Sequence, residues 1–222
     1  MAATSSKQLK NICVLSEFCY GKYKELVQAV IDLDRAIAER QLHLVYGRGN
    51  RWLSKLVSEA VFVRERQVLG IIPKALKPLG CLPDPPTGEE LVVSNMQKTI
   101  SEMLNYADVF IFLPIDLATL EALITFTSWA HLNIHKKPIG LLNVNNFYDG
   151  LIAFFNHAIK NYFIPPLVKK LFICVPTANE LLDLLQAYKL KPDPMTLALA
   201  WATDDDGSNP RKKCKLDLTL HL

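Results

Sequence analysis

An α/β fold, doubly wound around a mainly parallel sheet with helices on both faces, follows from three observations on this 222-residue sequence. Short apolar runs recur along the chain, several of them without polar alternation, as strands buried on both faces require. Longer amphipathic segments separate the runs. Repeated strand–helix alternation then demands right-handed crossovers and parallel pairing.

The strand runs are residues 12–15, 42–46, 67–72, 109–113, 138–142 and 171–175. Tyr23, Leu26, Val27, Val30, Leu33 and Ile37 repeat at helical spacing after the first run. Phe147, Leu151, Phe154, Phe155, Ala158, Ile159 and Tyr162 do so before the last, predicting an amphipathic helix. Residues 74–95, with Pro78, Pro83, Pro85 and Pro86, predict a long surface loop of the kind that often carries function. Residues 1–190 read as one domain. Residues 191–222 read as a flexible tail, on the strength of Asp204–Asp206, Gly207, Ser208 and a basic cluster.

Composition narrows the function classes. Half the residues are hydrophobic and 21% are charged, which excludes wholesale disorder. A net charge of +3 makes no case for a nucleic-acid partner. Five scattered cysteines without a CxxC pair argue against a disulfide framework or a cysteine zinc site, and for a reducing compartment. The most apolar stretch, residues 109–126, is broken by Pro114, Asp116 and Glu121, so no membrane span is expected, and no membrane partner. The first eleven residues lack the apolar core of a signal peptide, and a cytoplasmic protein is expected.

Ligands of open α/β sheets bind beyond the carboxyl ends of the strands, near helix N-termini. The junctions to read are therefore residues 16–22, 47–53, those from Pro73 onward, and 114–121. The second carries Gly47, Arg48, Gly49, Arg51 and Trp52; the fourth has no glycine at all.

Residues 44–47 (LVYG), 68–73 (VLGIIP), 107–114 (ADVFIFLP), 119–121 (TLE) and 129–144 (WAHLNIHKKPIGLLNV) carry a resemblance. Over roughly residues 9–188 the chain resembles the Lonely Guy family, cytokinin riboside 5′-monophosphate phosphoribohydrolases once described as lysine decarboxylase-like. The resemblance implies a Rossmann-like fold, a dimer or larger assembly, and no cofactor. It also implies a nucleoside monophosphate substrate whose N-glycosidic bond is hydrolysed to free base and ribose 5-phosphate.

Set against the family motif PGGxGTxxE, Pro114 and Thr119 match. Ile115, Asp116 and Ala118 replace the three glycines, and Ala122 stands where the Glu belongs; Glu121 is its neighbour. Neighbours on a helix point about 100° apart. In the family's Met-His-x-Arg-Lys stretch, Thr99 takes the Arg position and Ile100 the Lys position, with Lys98 adjacent. After the second strand Gly47 and Gly49 remain, while Arg48 and Trp52 replace glycines. After the first strand, Ser16 and Glu17 replace a Cys-Gly pair. The resemblance thus implies Glu121 as the catalytic candidate. Lys98, Gly47, Gly49, Arg48, Pro114 and Thr119 are the substrate-binding candidates.

Cleavage builds positive charge on the ribose, and losing one electrostatic contact commonly costs about 10²-fold or more. Activity is therefore expected to be weak or lost. The alternative is a catalytically inactive binding or assembly subunit, homodimeric or paired with homologues, or a regulatory partner. Local alternatives stand beside these roles. Asp116 and Thr119 also read as helix caps, and Glu121 as an exposed first-turn carboxylate. Arg48 and Arg51 read either as phosphate clamps or as solvated loop residues. His131 and His135 lack a third ligand, so no metal is expected. In the tail, residues 211–215 (RKKCK) have the look of a nuclear-import signal. Leu216, Leu218 and Leu220 form an LxLxL pattern that recruits co-repressors, against the simpler reading of a frayed end.

Overall fold

The computed structural model describes residues 9–16, 24–47, 67–76, 88–114, 116–189 and Thr196. Its strands are β1 (Asn11–Leu15), β2 (His43–Gly47), β3 (Val68–Pro73), β4 (Glu89–Val93), β5 (Val109–Phe112), β6 (Ile139–Leu142) and β7 (Phe172–Val175). They form one sheet in the order β4-β3-β2-β1-β5-β6-β7, and every pairing is parallel. The helices are α1 (Lys24–Glu39), α2 (Met96–Tyr106), α3 (Leu117–His131), α4 (Asp149–Lys160) and α5 (Ala178–Ala187).

Two cores, one per face, explain the strands' lack of alternation. Ile12 and Val14 of β1 join Leu26, Val30 and Leu33 of α1 and Leu181 and Leu185 of α5. Cys13 and Leu15 join Met103 of α2, Ala122 and Phe126 of α3 and Phe155 of α4 on the other face. Phe110 stacks on Phe126 with ring centroids 4.1 Å apart, an arrangement that contributes about 1 kcal/mol beyond its buried area.

One expectation is corrected. Residues 74–95 are not one loop, because β4 lies within them and pairs with β3 from Leu69↔Glu89 to Pro73↔Val93. As an edge strand opening on two glutamates, it lacks the apolar run that marks a central strand. Gly88 admits it: its φ is +80°, and a Cβ there would lie 2.3 Å from the Val68 carbonyl oxygen. The amphipathic helix expected over residues 147–162 is α4, and its apolar stripe divides. Phe155 and Ala158 are buried, whereas Phe147, Phe154 and Tyr162 are exposed. Of residues 191–222 only Thr196 is described, and it is buried; the tail motifs lie outside the described residues.

Three helices end in a left-handed residue that is not glycine, as befits a chain with nine glycines. Gln41, Asn133 and Tyr162 have φ of 56°, 59° and 60°. Each is followed by a residue whose N–H reaches back to close the helix: Leu42 to Ile37, Ile134 to Trp129, and Phe163 to Ala158.

Candidate active site

The strand order reverses between β1 and β5, so the carboxyl ends of β2, β1 and β5 lie side by side there. The N–H of Leu113 donates to the Leu15 carbonyl at 3.0 Å, tying the exit of β5 to the exit of β1. A second tie comes from behind. Tyr148, 1% exposed, donates its hydroxyl to the Leu113 carbonyl at 2.5 Å, and burial pushes its pKa far above the ordinary phenol value. Its backbone N–H donates to Asn143 Oδ1 at 2.8 Å. The turn into α3 therefore starts from a fixed point.

At that turn Asp116 caps α3, its carboxylate accepting the N–H of Thr119 at 2.6 Å. Asp116 fulfils the capping reading. Thr119 is the capped residue, and its side chain is buried at 3% exposure. Pro114 is half-buried at the end of β5. Glu121 lies on the exposed side of α3, while Ala122, 1% exposed, points into the core with Phe126 and Phe112.

Helix α2 starts at an Asn95 cap, whose Oδ1 accepts the N–H of Lys98 at 2.8 Å. The Lys98 ammonium is engaged further along the helix, 2.8 Å from Glu102 Oε1. Burial raises the Glu102 carboxyl, but hydrogen bonds from Lys98 and Asn105 outweigh it and hold the pKa below the usual value. Thr99 is fully buried, its hydroxyl donating to the Asn95 carbonyl at 3.1 Å; Ile100 is 3% exposed. Gly47 closes β2 beneath α2, where a Cβ would lie 1.7 Å from Met103 Cε. Arg48, Gly49, Arg51 and Trp52 lie outside the described residues.

His135, 8% exposed, accepts the Lys137 backbone N–H on Nδ1 at 3.2 Å. Because that N–H can only donate, the ring proton sits on Nε2 and is given to the Phe126 carbonyl at 2.8 Å. Among the described residues no group of three His, Cys, Asp or Glu is placed to hold a metal.

Residues 55–185 match the family described as "Possible lysine decarboxylase". The chain is 39% identical to cytokinin riboside 5′-monophosphate phosphoribohydrolase LOG7 of Arabidopsis thaliana, over 90% of this chain and 92% of that one. It is 40% identical to the Oryza sativa enzyme LOG, over 82% and 74% of the two chains. The chain belongs to the Lonely Guy family. The molybdenum cofactor carrier protein of Chlamydomonas reinhardtii shares the fold at TM-score 0.56 and 11% identity, covering 82% of this chain and all of that one. The cofactor-binding protein of Rippkaea orientalis does so at TM-score 0.56 and 17% identity, covering 82% and 98%.

Ala122 and Thr99, expected from the resemblance to stand at the family's Glu and Arg positions, are both interior in this Lonely Guy protein. Sequence reasoning missed Tyr148, Asn143 and Asn95, which hold the two helix starts in place. Asn95 before the periodic run from Met96 was a legible cap signal; Tyr148 sat inside an aromatic stretch and had none.

Proposed function

We propose that this Lonely Guy protein binds a nucleoside 5′-monophosphate at the carboxyl ends of β1, β2 and β5 but turns it over weakly or not at all, acting as a binding or assembly subunit. The observation that carries this reading is the Asp116 carboxylate on the Thr119 N–H. The N-terminus of α3, where a substrate phosphate would draw on free backbone donors, already holds an anion of its own. Hydrolysis also needs a carboxylate beside the ribose as positive charge develops. Ala122 offers a buried methyl group at that position, and Glu121 is directed elsewhere.

Helix α3 also supports pairing with a second copy or a homologue. It stands in the middle of its layer, yet Leu117 and Ile124 on its outer side are 83% and 43% exposed. Two large apolar side chains exposed on that side, beside Glu121 and Ser128, favour a partner surface.

The test is to incubate the purified protein with isopentenyladenosine 5′-monophosphate and with AMP, following free base by chromatography beside an active homologue. The expected result is nucleotide binding by calorimetry with base release at least about 10²-fold slower than the homologue's. Release at the homologue's rate would overturn the proposal and point to Glu121 as the catalytic carboxylate.

A further inference from the structure

We infer that the end of the molecule opposite the candidate site, formed by the turns before β6 and β7, docks on an anionic phospholipid surface. The sequence supplies the charge. From Ala122 to Asn179 there is one acidic residue, Asp149, and no arginine, against five lysines. Asp149 lies at the start of α4, at the far end from these turns, where it accepts from Asn143.

The topology gathers the lysines. Lys136 precedes β6; Lys160, Lys169 and Lys170 precede β7; and β6 and β7 are paired neighbours from Ile139↔Phe172. Lys189, just beyond α5, belongs to the same end, because Tyr188 donates its hydroxyl to the Lys170 carbonyl. Lys136, Lys160, Lys169, Lys170 and Lys189 are all exposed. Lys137 is not part of the face, for its ammonium turns inward to the Leu104 and Ala107 carbonyls. The nearby carboxylate of Asp108 is held by the N–H groups of Lys10 and Asn11 at 3.1 Å.

Aromatic tips stand among these lysines. Tyr162 and Phe163, between Lys160 and Pro165, are 95% and 83% exposed, and Ile134 is 40% exposed. Tyr162 holds the left-handed position that favours glycine, so its ring does nothing for the fold that a hydrogen would not. Lysines around projecting Tyr and Phe are the composition that seats a protein in the headgroup layer of an anionic leaflet. A second copy is disfavoured, since two such faces would bring like charges together. Nucleic acid fits less well, because bases stack on platforms and in grooves rather than on convex tips.

The test is co-sedimentation of the full chain with vesicles of phosphatidylcholine alone or with about one-third phosphatidylserine. Binding is expected only with phosphatidylserine and should fall with salt. Each lysine near the leaflet strengthens binding about fivefold, so Lys169→Ala with Lys170→Ala should weaken it by about 25-fold. Tyr162→Ser with Phe163→Ser should also release the protein, with its melting temperature retained. Four results would overturn the inference: no sedimentation at low salt; unchanged binding by the aromatic variant, which would assign the binding to the basic run at 211–215; a change of oligomeric state in that variant; or capture of single-stranded RNA in preference to vesicles.

Discussion

Asp116 decides what α3 presents to a ligand, and substitutions there separate its two roles. Asparagine caps a helix about as well as aspartate, so Asp116→Asn should cost no more than the lost charge–dipole interaction, about 1 kcal/mol or less. It removes a negative charge from a helix N-terminus, worth up to about 1 kcal/mol. Nucleoside monophosphate affinity should therefore rise about fivefold, measured by calorimetry; unchanged affinity would mean the phosphate sits elsewhere. Ala122→Glu tests the opposite residue. With 1% exposure among Phe112 and Phe126, a carboxylate at 122 has no water and no cationic partner in that cluster. It should cost about 3 kcal/mol in chemical denaturation without bringing base release. Both expectations were legible from the motif comparison as departures. Their cause was not, because sequence spacing says that 121 and 122 point apart without saying which of them points inward.

At the scale of single elements, the loop between α3 and β6 is the acid-sensitive joint. The buried His135 is neutral, with its proton on Nε2; desolvation first, and the Lys137 ammonium less strongly, bring its pKa down to about 4. The Phe126 carbonyl works against that fall. The unfolded chain takes up the proton near pH 6.5, so the histidine's contribution is complete above that pH. It declines as pH falls through about 4, by about 3 kcal/mol in all. Thermal melts between pH 7 and 4 should show the decline, and His135→Gln should flatten it. Helix ends give a second measurable quantity. Gln41 and Tyr162 occupy left-handed positions that cost an L-residue about 1 kcal/mol or more, so Gln41→Gly and Tyr162→Gly should each stabilise by about that amount. Far apart and without shared partners, they should add. The sequence showed where these helices run, because their periodicity is strong. It did not show how they end, because the usual marker, glycine, is absent. The strand β4 was hidden for a related reason: an edge strand with glutamates at its start carries no apolar run, and only its register with β3 reveals it.

For the molecule as a whole, the doubly wound sheet was legible because six of the seven described strands are apolar runs. Burial of the stripe from Phe147 to Tyr162 was not, since helical spacing marks a face without saying whether the core or another surface receives it. The outer side of α3 raises the same question. If α3 pairs as proposed, Leu117→Lys with Ile124→Lys, both exposed in the single chain, should give a monomer by light scattering while leaving the melting temperature within a few degrees. A variant that remained dimeric would exclude this face.

Because all seven strands run the same way, the molecule has two chemically distinct poles. Each described strand ends at the pole proposed to take nucleotide, and the described helices between strands return the chain to the lysine-bearing one. A protein held by the latter, as proposed, would face the carboxyl ends of its strands into solution, within reach of diffusing nucleotide. The same polarity would separate the two proposed properties in inheritance: changes at one pole would alter where the protein resides, and changes at the other what it holds.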